Sequence, residues 1–139
     1  KKLDIRVLMG TPPYNVSKGT SYPNLERRIA ETYAQGTDAV NKNSLYDSYI
    51  KAFRWASDRI KDRGVVAFVT NGGWLDAQAM DGFRNSLVKE FDHIYVFNLR
   101  GNQRTQGEVS RREGGKIFGS GSRTPVAITI LVKTGEKAK

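Results

Sequence analysis

The chain has 139 residues, a length typical of one domain, and carries a formal net charge of +9 with a sequence pI of about 9.9. It contains no cysteine, which excludes disulfides, thiolate metal sites and a cysteine nucleophile and fits a cytoplasmic location. No run approaches the ~18 consecutive apolar residues of a membrane span. The large excess of basic over acidic residues favours a polyanionic binding partner over the alternative that the charge only keeps the protein soluble.

Four apolar runs predict β-strands, over residues 3–10, 64–71, 93–99 and 125–133. Each run is rich in β-branched or aromatic side chains and is nearly continuous in apolar character. Such runs are typical of strands that are covered on both faces of a sheet.

A helix is predicted between the first two strands, within NSLYDSYIKAFRWASDRIKDRG (43–64). Its apolar side chains recur at helical spacing: Tyr46, Tyr49, Ile50, Phe53, Ala56 and Ile60. Ser44 and Asp47 resemble a capping pair at its start, and Gly64 is expected to end it.

A second helix is predicted within DAQAMDGFRNSLVKEF (76–91), between the second and third strands. Met80, Phe83, Leu87 and Phe91 share one face of it, and Asp76 is expected to cap its start. Strands that alternate with helices imply parallel strands joined by crossovers, so the predicted fold class is α/β.

Two segments interrupt this alternation. Residues 15–43 are polar, with one weak helix predicted over about 24–35. Residues 100–123 contain six glycines and six basic side chains against two acidic ones, and are too long for a routine connection. The second segment is therefore interpreted as a functional loop or a disordered one.

Three turns follow the first three strands, with the sequences GTPPY, TNGGWL and LRGNQR. Ligands of open α/β sheets collect beyond the carboxyl ends of the strands, where these turns are expected to lie. In the first turn, Pro12 and Pro13 stiffen the backbone before Tyr14. Tyr14 is either a platform on which a base stacks or a side chain packed on a neighbour, and the carbonyls of Thr11 and Pro12 are candidate acceptors for an amino group.

At this turn the sequence resembles the amino-group DNA methyltransferases that modify adenine. Their catalytic motif is a strand ending in Asn-Pro-Pro-Tyr, which LDIRVLMGTPPY matches except that Thr11 replaces Asn. The segments SLYDSYIKAFRWASDRI, GVVAFVTNGGWLD and FNLRGNQR are similar to those of large fused restriction–modification enzymes and their helicase-linked relatives. The resemblance covers nearly the whole chain.

The resemblance implies a mechanism and roles for several residues. A target adenine is flipped out of the duplex, since its amino group cannot be reached inside the stack. The Pro12 carbonyl would then accept from that amino group, Pro13 would fix the turn, and Tyr14 would stack on the base. Phe118 falls where the family has a second aromatic residue against the flipped base; it is equally interpreted as an anchor for its loop. The resemblance also implies that the final strand inserts antiparallel into a partial Rossmann-like sheet.

The sequence departs from the family pattern in two ways. The Thr11 hydroxyl can accept a hydrogen bond, but it is shorter than an Asn amide and aimed differently. The family binds S-adenosylmethionine through a glycine-rich turn after an earlier strand, expected upstream of Lys1, whereas GSGSR (119–123) precedes a strand. Residues 1–139 are therefore predicted to be the C-terminal half of a methyltransferase domain, inactive in isolation.

Phosphate contacts are assigned to basic residues in and beside the long loop. These candidates are Arg100, Arg104, Arg111, Arg112, Lys116 and Arg123. His93 and Asp4 are weak candidates for any chemical role. Trp74 is expected to be buried rather than to line a pocket. The sequence contains no cluster of Asp, Glu and His residues that would predict a metal site.

The sequence thus predicts part of an adenine-specific DNA methyltransferase within a restriction–modification enzyme. Its expected partners are double-stranded DNA and the remainder of its own larger polypeptide, which would hold the cofactor and nuclease or helicase domains. Two alternatives stay open. One is a non-catalytic DNA-binding module, with Thr11 marking lost activity; the other is a methyltransferase acting on RNA or a protein glutamine.

Overall fold

The computed structural model describes residues 3–13, 21–100, 108 and 124–136. Its helices and strands are β1 (Val7–Gly10), α1 (Pro23–Glu31), α2 (Ser48–Arg59), β2 (Arg63–Asn71), α3 (Asp81–Glu90), β3 (His93–Arg100) and β4 (Val126–Thr134). Short 3₁₀ turns occupy Asn43–Tyr46, Gly72–Leu75 and Gln78–Met80.

The four strands form one sheet in the order β1-β2-β4-β3. β1 runs parallel to β2, whereas β4 is antiparallel to both β2 and β3. β1, β2 and β3 therefore all point the same way, with the last strand of the chain inserted between two of them. This arrangement confirms the predicted α/β class and its final antiparallel strand.

Most predicted boundaries hold, but three local predictions were wrong. β1 begins at Val7 rather than at residue 3. α2 ends at Arg59, so Gly64 does not end it; Gly64 lies in β2, where a side chain would place a Cβ 2.5 Å from the Arg6 carbonyl oxygen. Asp76 does not cap α3, because two 3₁₀ turns intervene and α3 starts at Asp81.

The hydrophobic core lies between the helices and one face of the sheet. Phe53 of α2 and Phe83 of α3 are fully buried, with ring centroids 5.3 Å apart, and Trp74 packs against both. Val66 and Leu131 supply the sheet side of the same core. The apolar faces predicted for both helices are thus confirmed, as is the burial of Trp74.

The prediction that the strands are covered on both faces of the sheet was wrong for the face opposite the helices. Met9 is 78% exposed and Phe97 is 60% exposed, although both lie in strands. α2 and α3 pack on the other face, and no element within the described residues covers this one.

A chain of charged side chains, in which Arg54 is buried, joins the three helices. Arg28 of α1 donates from Nε and Nη2 to the two Asp58 carboxylate oxygens at 3.1 and 2.9 Å. Arg54 of α2 is only 1% exposed, and its Nη2 donates both to Asp58 at 2.8 Å and to Glu90 of α3 at 2.9 Å. Burial raises the pKa of Asp58, but its hydrogen bonds with Arg28 and the charge of Arg54 outweigh burial and hold that pKa below its usual range.

Two glycines allow the start of α3 to approach the turn that follows α1. A Cβ on Gly82 would overlap the Tyr33 carbonyl oxygen and lie 2.9 Å from the Gly36 carbonyl carbon. Neither neighbour is the end of a flexible side chain, so neither can move aside cheaply. The contact between Gly36 and Gly82 therefore determines how closely α3 packs.

We expect Gly82→Ala to lower the free energy of unfolding by about 2 kcal/mol, because the backbone clash exceeds the roughly 1 kcal/mol that Ala gains over Gly in a helix. Urea denaturation followed by circular dichroism measures this change. Gly10→Ala is the matched control: a Cβ there meets no atom within 4 Å in the described part of the chain beyond its own neighbours, so a change within about 0.5 kcal/mol is expected. Equal effects of the two substitutions would contradict the packing role.

Asp58→Asn should reduce stability at neutral pH and make it less dependent on pH in acid. A carboxylate whose pKa is lowered on folding stabilises the fold above its unfolded pKa of about 4, and that contribution disappears as the pH falls through the folded pKa. Thermal unfolding between about pH 2 and pH 7 measures the difference. The exposed Asp38→Asn serves as control, and an identical pH profile for all three proteins would refute the role of Asp58.

Candidate functional site

The candidate site is the edge of the sheet at which β1, β2 and β3 end. Asn71, the last residue of β2, is paired with Val126, the first residue of β4, and Arg100 at the end of β3 is paired with Val126 on its other side. β1 runs parallel to β2 and ends at Gly10. The turns after the three strands therefore lie along one edge, as the alternation of strands and helices predicts.

The Thr-Pro-Pro turn leaves the sheet directly after β1. Thr11 and Pro13 are exposed and Pro12 is half-buried, so this backbone is accessible to a ligand. Gly10 also has open space around it, because no atom of the described residues, its two chain neighbours aside, lies within 4 Å of a Cβ built there. Tyr14 and Phe118, the two predicted stacking residues, lie outside the described residues.

The Gly72-Gly73 turn after β2 is held by hydrogen bonds within the fold. The Gly72 N–H donates to the Pro125 carbonyl at 2.8 Å, and the Gly73 N–H donates to the Asn71 Oδ1 at 2.7 Å. A Cβ at Gly72 would lie 3.3 Å from the Ala127 side chain, so only a small residue fits there easily. Both amides are therefore used by the protein itself.

Arg84 of α3 secures the same turn from the helix side. Its Nη1 donates to the Trp74 carbonyl at 2.7 Å and to the Ala77 carbonyl at 2.8 Å. Those carbonyls lie at and just beyond the end of the Gly72–Leu75 turn. Arg84 thus fixes the path of the backbone between the sheet edge and α3.

Arg100 is exposed and lies at an irregular end of β3. The pairing register with β4 shifts between Asn98 and Arg100, and Arg100 has a positive φ of 63°, which is rare for a non-glycine residue. Its N–H donates to Asn98 Oδ1 at 2.9 Å, which supports this conformation. A bulge at a strand end redirects the chain. The other predicted phosphate-contact residues lie outside the described residues: Arg104, Arg111, Arg112, Lys116 and Arg123.

Two weaker candidates lie away from this edge. His93 begins β3 and pairs with Val132 near the opposite end of the sheet. Asp4 precedes β1 and forms an exposed ion pair with Arg6. Neither residue is brought to the Thr-Pro-Pro turn.

The sequence interpretation missed Asn71 and Arg84 as residues that shape the site. An Asn directly before two glycines at a strand end is a recognisable signal, because Asn side chains commonly bond the backbone two residues on. Arg84 offered no local signal, since its acceptors are seven and ten residues away.

Solved structures similar to this chain come from much larger proteins. A nuclease-deletion mutant of the Type ISP restriction-modification enzyme LlaGI, in complex with a DNA substrate mimic, matches 94% of the chain with 50% identity and a TM-score of 0.90. The ATP-dependent Type ISP restriction-modification enzyme LlaBIII, bound to DNA, matches 97% with 42% identity and a TM-score of 0.91. The chain is related to a segment of restriction–modification enzymes.

The DrdV–DNA complex is a third similar structure, matching 96% of the chain with 39% identity and a TM-score of 0.90. The chain spans only 11%, 9% and 14% of the LlaGI, LlaBIII and DrdV chains, respectively. No protein-family model and no curated protein matches the chain.

Among the described residues, no three His, Asp or Glu side chains are grouped so that they could hold a metal ion. None of the helices in this part of the chain is both long enough and apolar enough to cross a membrane.

Asn71→Ala should loosen the turn after β2. Loss of the acceptor leaves the Gly73 N–H without its hydrogen bond to residue 71. The free energy of unfolding should fall by about 1 kcal/mol, as it does when a helix loses its capping side chain. Hydrogen exchange of the Gly73 amide should accelerate. Asn71→Asp keeps an oxygen at the same position and should retain protection; equal exchange in the Ala and Asp variants would contradict the assignment.

Proposed function

We propose that this chain is part of an adenine-specific DNA methyltransferase within a restriction–modification enzyme. The complete protein would transfer a methyl group from S-adenosylmethionine to the amino group of an adenine flipped out of the duplex. The observation that carries this proposal is the exposed Thr-Pro-Pro turn, which leaves the carboxyl end of a parallel strand and leads into Tyr14.

The turn supplies groups of the right kind for an amino-group substrate. The Pro12 carbonyl and the Thr11 hydroxyl are acceptors. Hydrogen bonds from an amine's N–H groups to such acceptors would raise the electron density on its nitrogen and direct the lone pair at the methyl donor. Pro13 stiffens the turn, so these acceptors need little reorganisation when the base arrives. Tyr14 would stack on the flipped base, and Phe118 is proposed to cover it from the loop.

The glycine pair after β2 does not fit a cofactor cradle. A glycine-rich turn binds a cofactor by presenting free backbone amides, but those of Gly72 and Gly73 bond Pro125 and Asn71. A Cβ at Gly72 would also lie 3.3 Å from the Ala127 side chain, so on that side the glycine faces the protein itself. S-adenosylmethionine would therefore be held outside the described part of the chain, in keeping with the proposal that residues 1–139 form one half of a methyltransferase domain, with a polar insertion over 15–43.

Support for DNA as partner comes from charge and from the relatives. The chain has a net charge of +9, and two of the similar structures are described as bound to DNA and one as bound to a DNA substrate mimic. Arg100 is exposed at the same sheet edge as the Thr-Pro-Pro turn. The basic loop that follows it is proposed to contact phosphates near the base that enters the site.

Thr11 supports a second candidate, a DNA-binding module that has lost methyl transfer. Where the family has an Asn amide, the Thr hydroxyl is a shorter acceptor. Loss of a group that stabilises charge developing in the transition state lowers the reaction rate far more than it weakens substrate binding. This candidate therefore predicts DNA binding without transfer.

The test uses the longer polypeptide that contains this chain, duplex DNA and radiolabelled S-adenosylmethionine. Tyr14→Ala should reduce methyl transfer roughly tenfold or more, because stacking is worth about 1–3 kcal/mol. Thr11→Asn should raise the rate, and Thr11→Val should lower it by removing the hydroxyl. Val40→Ala, at a fully exposed position far along the chain from the turn, is the control.

DNA binding measured by fluorescence anisotropy on the same variants separates the two candidates. Binding with no transfer by the Thr11 protein, and transfer restored by Thr11→Asn, would favour the non-catalytic module. Absence of both binding and transfer from every variant would refute the proposed function.

A further inference from the structure

The end of β3 contains a strained arginine, Arg100. Its φ is 63°, and it is the only residue other than glycine with a positive φ in the described part of the chain. This conformation is unfavourable because the Cβ comes close to the following carbonyl oxygen. Glycine adopts it without that cost, and glycine is the next residue in the sequence. A turn that only redirected the chain would not need an arginine at position 100, and backbone strain of this kind clusters at functional sites.

The side chain of Asn98 supports this conformation. Its Oδ1 accepts a hydrogen bond from the Arg100 N–H at 2.9 Å. Asn side chains commonly bond the backbone two residues on, and such a bond offsets part of the strain. Removal of the Asn98 amide would therefore release Arg100 to the extended or right-handed conformations that residues with a Cβ prefer.

A bulge at the same place removes Arg100 from the regular alternation of β3. Asn98 and Arg100 pair with consecutive residues of β4, so Leu99 is an extra residue in β3. In an unbroken strand Arg100 would share the face of Ile94, which packs against the core. The bulge interrupts that alternation, and Arg100 is exposed. The direction of the Arg100 side chain therefore depends on the bulge and on the bond that supports it.

The charge of Arg100 is not used by the described part of the fold. Three arginines of the helices bind groups of the protein: Arg28 and Arg54 pair with carboxylates, and Arg84 binds two carbonyl oxygens. The ion pairs among the described residues do not include Arg100. Its guanidinium is therefore suited to an anion from outside the described fold, and its planar fork of donors matches a phosphate group.

The Thr-Pro-Pro turn lies close enough to Arg100 for one duplex to reach both. Val126 pairs with Asn71 of β2 on one side and with Arg100 on the other, and β1 lies beyond β2. Neighbouring strands are about 4.8 Å apart, which places β1 about 14 Å from β3 across the sheet. Duplex DNA rises about 3.4 Å per base pair, so this separation spans about four base pairs. A duplex with one base at the turn therefore has phosphates within reach of Arg100.

We propose that Asn98 is a positioning residue for DNA binding: it holds Arg100 in the left-handed conformation and so directs the guanidinium to a phosphate beside the base that enters the site. Asn98 acts only through Arg100 and contacts neither the base nor the phosphate. The DNA partner rests on the proposed function, whereas the bond between Asn98 and Arg100 is a property of the fold.

The salt dependence of DNA binding tests this role, because each phosphate contact contributes about 0.9 to the slope of the logarithm of the association constant against the logarithm of salt concentration. In the longer polypeptide that contains this chain, binding to a duplex is measured by fluorescence anisotropy between about 50 and 200 mM salt. Arg100→Ala should reduce the magnitude of the slope by about 0.9, and Asn98→Ala should reduce it equally. The double variant should show no larger reduction than either single variant, since both substitutions act on one contact.

Two further variants separate positioning from a general loss of structure. Asn98→Ser retains a hydroxyl that accepts from the same amide more weakly, so part of the slope should be restored. Asn41→Ala is the matched control, because Asn41 is exposed and its Oδ1 accepts from the N–H of residue 43 at 3.0 Å, a bond of the same kind outside the sheet. The control should leave the slope unchanged.

The possible failures are distinguishable. An unchanged slope in Asn98→Ala, with faster hydrogen exchange of the Arg100 amide and DNA still bound, would reduce Asn98 to a structural role and overturn the proposal alone. A larger reduction for Asn98→Ala than for Arg100→Ala would assign Asn98 to the path of the chain beyond β3 and would also overturn it. No binding of DNA by the unsubstituted polypeptide would refute the proposed function, and this proposal with it.

Discussion

The arrangement of this chain depends on one topological constraint: its two crossover connections step across the sheet in the same direction. Right-handed connections then place α2 and α3 on a single face, where Phe53 and Phe83 build the core. The same constraint leaves the other face to whatever covers it. The carboxyl ends of β1, β2 and β3 lie along one edge because these three strands point the same way. The core and the apolar surface therefore follow from the direction of the crossovers, and the candidate site follows from the shared direction of the strands.

Periodicity in the sequence predicted the elements well, because apolar spacing reports directly on the face that each element buries. The errors arose where local signals compete with tertiary contacts. Gly64 resembles a helix stop, but its lack of a side chain serves the close approach of Arg6 to β2. The burial of Arg54 has no signal in the sequence, since it depends on Asp58 and Glu90, which accept hydrogen bonds from its guanidinium and leave the residue 1% exposed. A one-dimensional pattern carries no information about such partners.

The candidate site was predictable to the extent that it depends on strand ends. Two prolines after an apolar run place the Thr11–Pro13 turn at the end of β1 without any knowledge of the fold. The bond that holds Gly72 in the second turn was not predictable, because Gly72 donates to Pro125 across more than fifty residues of chain. Because the amides of Gly72 and Gly73 bond Pro125 and Asn71, this glycine pair is part of the scaffold rather than a ligand cradle.

The position of β4 in the sheet has a consequence for how the protein folds. β4 is the last in sequence of the four described strands, yet it lies between β2 and β3 and provides the hydrogen bonds that connect them. During synthesis β2 and β3 would leave the ribosome with adjacent edges unpaired until residues 126–134 emerge. Sheet completion is therefore a late, long-range event, with Arg63 pairing to Thr134. Chaperones that shield unpaired strand edges are expected to act on the nascent chain during this interval.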